Sequence, residues 1–206
     1  MTRTERMTIM NLSRRSIVRG LAPLTLALVS RPAEASSAPP GGPRQLPNVL
    51  LTTHQGRRVR FYDDLIRNRI AIINFMYADC TGICPGMTAN LVRLHRTLGD
   101  RVGRDIFMYS FTLKPRHDTP AALAAYARMH GVGAGWLFLT GGPQEIDQVR
   151  RKLGFADSDP VADRDLTNHA GLVLIGNDAL DRWSACPALA EVSELVKLVS
   201  WMEPIA

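Results

Sequence analysis

The sequence predicts an α/β fold in which a mixed β-sheet carries helices on both faces. Two patterns predict it. Ile70–Tyr77 and Asp105–Leu113 are near-continuous apolar runs, the mark of strands covered on both sides. Segments with apolar residues at helical spacing, above all Pro85 to Leu98, alternate with such runs along the chain, which is the signature of layered sheet and helix.

Taken in order, Val49–Thr53 and Arg58–Phe61 flank His54-Gln55-Gly56 and read as an N-terminal β-hairpin. Ile70–Tyr77 is the first buried strand. The helix from Pro85 to Leu98 follows, with proline in its first turn, where the missing N–H costs nothing. Asp105–Leu113 is the next strand. Asp118-Thr119-Pro120 supplies a capping side chain and an early proline for a helix reaching about His130. Trp136–Thr140 reads as a short strand and Gln144–Lys152 as a helix. Ala170–Ile175 and Leu180–Ser184 form a pair around a turn at Gly176-Asn177-Asp178. Glu191–Met202 closes the chain as an amphipathic helix. This order is compatible with a thioredoxin-like fold that carries an N-terminal β-hairpin and one insertion.

The chain has 206 residues, 46% of them apolar, which suits one domain with a short appendage. Its net charge of +6 is concentrated at the start: residues 1–35 hold +4 and leave +2 for the rest. That remainder is too small to act as a nucleic-acid footprint.

Residues 1–35 run from arginines (Arg14-Arg15) through an apolar stretch, Leu21 to Val29, to Ala33-Glu34-Ala35. This is the layout of a signal peptide of twin-arginine type, with cleavage after Ala35 and export to the periplasm as the expectation. The apolar stretch is shorter than the roughly 20 residues that span a bilayer, so no permanent membrane span is expected. Residues 36–48, rich in Ser, Ala, Pro and Gly, read as a flexible linker, and residues 49–206 as the folded domain.

Of three cysteines, two sit four apart, Cys80-Thr81-Gly82-Ile83-Cys84, between a buried strand and a helix. The start of a helix offers free N–H groups and a partial positive charge, which favour thiolate. Thiolate is both the attacking form in disulfide exchange and the metal-binding form. Two thiolates with one imidazole make a soft donor set suited to copper as Cu(I) or Cu(II). His169, just ahead of a buried strand, is the candidate imidazole. His54, His95, His117 and His130 read as surface or cap residues. Met76 and Met87 read as packing, Cys186 as a small packed residue or a thiol able to pair with another chain, and Tyr77 and Asp79 as neighbours able to shape the site.

Phe75 to Pro85, a strand ending in an aromatic residue and then C-x-x-x-C-P, resembles the copper-site motif of the Sco/SenC family. Pro115 to Pro120 resembles that family's proline-to-DTP segment. Trp136 to Gly141 with Glu145-Ile146 resembles its LTG…EEI segment, and His169 falls where the family has its histidine. The resemblance covers roughly residues 47–203. It implies a copper-binding metallochaperone with one ion held by Cys80, Cys84 and His169. Such a protein delivers copper to a client cuproprotein, such as the copper-binding subunit of a terminal oxidase, or keeps that client's cysteines reduced. Three departures stand out. Lys114 replaces an acidic residue before Pro115, Asn168 replaces the aspartate before the histidine, and the family's usual transmembrane anchor is not found. The first two remove negative charge near a cation site.

The alternative is a periplasmic thiol–disulfide oxidoreductase, with a partner protein as substrate, Cys80 as attacker, Cys84 as resolving residue and no need for His169. A peroxiredoxin-like peroxidase is disfavoured, because no Thr lies two or three residues ahead of a lone reactive cysteine.

Overall fold

A computed structural model describes residues 45–166 and 171–204. Seven strands form one sheet: β1 (Leu50–Thr53), β2 (Arg58–Arg60), β3 (Ile70–Met76), β4 (Ile106–Thr112), β5 (Trp136–Thr140), β6 (Leu172–Asn177) and β7 (Arg182–Pro187). Their spatial order is β2-β1-β5-β4-β3-β6-β7. The three inner strands β3, β4 and β5 run parallel; the hairpin β1–β2 adds to β5 and the pair β6–β7 adds to β3, both antiparallel. The mixed sheet and its hairpin are as the sequence predicts.

Every residue of β3 is buried, because its two faces feed two separate cores. Ile70, Ile72 and Met76 face helices α1 (Ile83–Leu98), α2 (Pro120–Met129) and α5 (Val192–Trp201). Ala71, Ile73 and Phe75 face the hairpin side, where helix α3 (Pro143–Lys152) packs through Ile146 and Val149. One polar ladder crosses the first core. Trp136 Nε1 donates to Ser110 Oγ at 2.9 Å, and Ser110 Oγ donates to Asn74 Oδ1 at 2.7 Å. Asn74 Nδ2 reaches Met87 Sδ at 3.8 Å, which fits Met87 as a packed residue.

Several boundaries differ from the sequence reading. Leu46 is fully buried and Asn48 bonds Asp63, so packing begins ahead of Val49. Phe61–Ile66 forms a single π-helical turn that buries Phe61, Tyr62, Leu65 and Ile66. The expected turn at Gly176 is strand: Gly176 pairs with Trp183, and a Cβ there would strike the indole. The glycine therefore marks close packing rather than a reversal, which comes at Asp178–Leu180. A five-residue helix α4 (Pro160–Arg164) was not legible. Thr119, not Asp118, caps α2 by accepting the Ala122 N–H at 3.2 Å.

Candidate functional site

Strand β3, paired with β4 on one side and β6 on the other, delivers the chain to Tyr77-Ala78-Asp79-Cys80, and α1 begins three residues later. The turn is closed by the Cys80 N–H bonding the Tyr77 carbonyl at 3.2 Å. Gly82 stands at the N-cap with no side chain to accept the first helical N–H groups. The Cys80 sulfur takes that role, accepting from the backbone N–H of Gly82 and Cys84.

Both sulfurs are free thiols and lie within hydrogen-bonding reach of one another. Their environments split them. Burial opposes ionisation of Cys80, which is 9% exposed. Hydrogen bonds from Cys84, from the two backbone N–H groups and from the Tyr77 hydroxyl outweigh it and hold the Cys80 thiol below its ordinary pKa. Cys84 is deeper, at 3% exposure. Burial first, and then its role as donor to Cys80, push its pKa up. Of the two, Cys80 is the more readily ionised and Cys84 the less.

The loop is held by groups from neighbouring elements. Asp118, 3% exposed, accepts the Ala78 N–H at 3.1 Å and the Thr112 hydroxyl at 2.5 Å. Lys114 Nζ bonds both oxygens of Asp79, at 2.9 and 3.0 Å, and sits 4.2 Å from the centre of the Tyr77 ring. The basic residue that replaces the family's acid is thus neutralised by Asp79. Sequence reasoning missed Asp118 as a site residue, because a DTP segment reads equally well as a helix cap.

His169 and Asn168 lie outside the described residues. The segment that follows them is described. Gly171 lies against Ile83, the residue before Cys84; a Cβ on Gly171 would meet Ile83 Cδ1 at 2.2 Å. The Gly171 carbonyl accepts the Ala188 N–H at 2.6 Å, and Asn90 of α1 donates to the carbonyls of Ala188 and Ala190 at 2.8 Å each. The start of β6 is therefore docked on the helix that carries Cys84.

Among the described residues, no three His, Cys, Asp or Glu side chains converge as a metal cluster. The other histidines have structural roles. His54 Nδ1 accepts the Phe138 N–H at 3.1 Å, and His95 Nε2 meets the Ala134 carbonyl at 2.8 Å; both are half-buried rather than on the surface. His117 is exposed, and His130 caps α2 against Tyr126. Met76 is buried in the core, and Cys186 is half-buried against it. Two adjacent sulfurs fit a soft monovalent cation such as Cu(I), and a further donor is needed for Cu(II).

Comparison with known proteins places these features in a family. The chain is 28% identical over 116 residues to the SCO1 protein homolog of Bacillus subtilis (strain 168), covering 55% of this chain and 60% of that protein. It spans about three fifths of the curated relatives it matches, 58% and 60% of their lengths. The fold superposes on Bradyrhizobium japonicum ScoI with copper bound at a TM-score of 0.59 and 23% identity, covering 75% of this chain and 96% of that one. It superposes on BsSco, described as a Sco-family cytochrome c oxidase assembly protein with a disulfide switch, at 0.61 and 21%, covering 75% and 90%. No helix among the described residues is long and apolar enough to cross a membrane. The SCO1/SenC family model matches residues 43–198, three quarters of the sequence, and the chain belongs to the SCO1/SenC family.

Proposed function

We propose that this chain is an exported copper-binding metallochaperone that holds one copper ion between Cys80, Cys84 and His169. It passes that ion to a client cuproprotein, such as the copper-binding subunit of a terminal oxidase. Residues 1–35 act as the export signal and the domain works in the periplasm. The observation that carries the reading is the contact between Gly171 and Ile83. His169 is two residues from Gly171, a tether of at most about 7 Å of extended chain. Its anchored end lies beside the residue that separates Gly82 from Cys84. Two sulfurs alone satisfy Cu(I); an imidazole on that tether completes a set for Cu(II).

The test is anaerobic titration of the reduced domain with Cu(I) and Cu(II), in the native chain and in His169→Ala. A thiolate-to-Cu(II) charge-transfer band at one equivalent, lost in His169→Ala, is the expected result. The same band at full strength in the variant rejects the histidine as a ligand.

A second reading, thiol–disulfide exchange, is favoured by the split between Cys80 and Cys84. A thiolate attacker beside a buried resolving thiol is the arrangement such exchange needs. This activity survives His169→Ala, so the two readings separate on that variant.

A further inference from the structure

On the hairpin face of the sheet, Phe107 at the start of β4 and Leu137 at the start of β5 are half-buried, left at the margin of the second core. They line an open groove of about 780 Å³. One wall is the hairpin turn with Arg57, a second the π-helical turn with Leu65, and a third the loop that ends in Arg104. The groove lies at the end of the sheet where the parallel strands begin. In β3 and β4, Ile70 stands opposite Ile106 and Met76 opposite Thr112, so Cys80 follows the other end. Six strand steps of about 3.3 Å put roughly 20 Å between the groove and the cysteine turn.

The groove is basic and its parts are held in place. Arg57, Arg58, Arg69 and Arg104 line it against Asp64 and Asp100, leaving an excess of positive charge. Asp64 is turned to its own turn, where it accepts the Arg60 N–H at 2.6 Å. Among the described residues no carboxylate pairs with Arg57 or Arg69. The Arg69 guanidinium lies 4.4 Å from the centre of the Phe107 ring and donates to the Tyr109 hydroxyl at 3.3 Å. The Phe107 and Tyr109 rings are themselves stacked, 10° from parallel. Arg104 has only an exposed contact with Asp105 at 3.3 Å, which Arg101 holds more closely. The end wall is stiff: a Cβ on Gly135 would lie 2.5 Å from the Gly103 nitrogen, so two loops cross there backbone against backbone.

We infer that this groove docks an acidic, partly apolar segment of a partner protein, with carboxylates taken by Arg57, Arg69 and Arg104 and an apolar side chain seated on Phe107 and Leu137. The inference stands apart from the copper reading and uses none of its residues. Charge complementarity names the occupant. Guanidinium groups without carboxylates of their own match carboxylates in forked pairs, and arginine clusters are a recurring way of reading acidic segments. Three cations brought from three separate elements, one of them fixed on an aromatic ring, lose little freedom when a ligand arrives. The volume suits a few residues of peptide rather than a single ion. A bilayer surface is flat and does not reach a floor recessed between walls. A segment held here leaves both sulfurs open at the far end of the sheet, so the groove grips a partner without occupying the thiol site.

The experiment uses the full chain and fluorescence anisotropy of a labelled peptide that alternates glutamate with leucine. The same peptide with glutamine for glutamate, vesicles of phosphatidylglycerol and a single-stranded oligonucleotide are the comparison probes. The acidic peptide is expected to bind, more weakly as salt rises, and the glutamine peptide at least about 10-fold more weakly. Arg57→Gln with Arg104→Gln is expected to weaken the acidic peptide about 10-fold, two exposed pairs at somewhat under 1 kcal/mol each. Phe107→Ala is expected to weaken it about five-fold through the lost apolar seat. The arginine variants change only exposed side chains and carry the test if Phe107→Ala does not fold. Arg128→Gln, an exposed arginine of α2, is expected to bind as the native chain does. No binding of the acidic peptide overturns the inference, as does equal binding of the glutamine peptide or equal loss in Arg128→Gln. Tighter binding of the vesicles or the oligonucleotide than of the peptide, lost in the same arginine variant, also overturns it and gives the groove to a membrane or a nucleic acid.

Discussion

The carboxylate of Asp118 grips the backbone of Ala78, accepting its N–H at 3.1 Å while also accepting the Thr112 hydroxyl. Residues 40 positions apart in the chain are thereby joined two residues ahead of Cys80. Replacing Asp118 with Ala strands a buried donor on Thr112 and a half-buried one on Ala78, each worth about 1–3 kcal/mol when left unpaired. A loss of roughly 3 kcal/mol in urea unfolding is expected. Thr119→Ala removes only the cap of α2 and is expected to cost about 1 kcal/mol. Equal costs would mean that Asp118 acts as a second cap rather than as the clamp on the cysteine loop.

The two cysteines are expected to react unequally. Cys80 is held below its ordinary pKa and Cys84 above it, so at pH 7 Cys80 carries more thiolate than a free cysteine and Cys84 almost none. Mass mapping after brief iodoacetamide treatment is expected to find label on Cys80 well before Cys84. Tyr77→Phe removes one donor to the Cys80 sulfur. The midpoint of the Cys80 alkylation profile then moves to higher pH. A profile that does not move would deny the tyrosine any part in stabilising the thiolate.

Asn90 is 2% exposed and donates twice, to Ala188 and to Ala190. Asn90→Ala leaves two carbonyls short of their donor and is expected to destabilise the fold by about 2 kcal/mol. Because the same turn bonds Gly171, amide exchange at Leu172 and Val173 is expected to quicken in this variant more than at β4. Uniform quickening would show that the turn does not anchor the start of β6 in particular.

Asp163 gives the protein an acid-sensitive joint. The Arg150 guanidinium holds its carboxyl well below the usual range. A depressed folded pKa contributes stability that is complete above the unfolded carboxylate value, about 4, and is lost as pH falls through the folded value. Unfolding free energy is expected to decline below pH 4, with a shallower decline in Asp163→Asn. At pH 7 that variant is expected to lose about 3 kcal/mol, the low end for a broken buried pair, since Asp147 remains beside Arg150. Identical pH slopes in the two proteins would contradict this assignment.

What could be read from the sequence is what local pattern encodes. Continuous apolar runs marked β3 and β4, helical spacing marked α1, and C-x-x-x-C-P between strand and helix marked the thiol pair. What could not be read depends on partners distant in the chain. Asp118 was read only as part of a helix-opening segment because its partner, Ala78, is remote in the chain. Gly176 looked like a turn because nothing local announces Trp183 across the strand pair. Nothing in the sequence announces the pairing of Arg150 with Asp163, since no periodicity tells a buried arginine from an exposed one. His54 and His95 looked superficial for the same reason: each bonds backbone from another element.

The hydrogen-bonded ladder Asn74–Ser110–Trp136 makes the height of the cysteine turn above the sheet an all-or-none quantity. Sliding β3 past β4 by a single residue would turn the Asn74 carboxamide to the other face and leave the buried Ser110 hydroxyl without its acceptor, and no partial slip would satisfy either. The three parallel strands are keyed together like the pins of a lock, and Cys80 stands at a level that mutations elsewhere in the core cannot adjust by degrees.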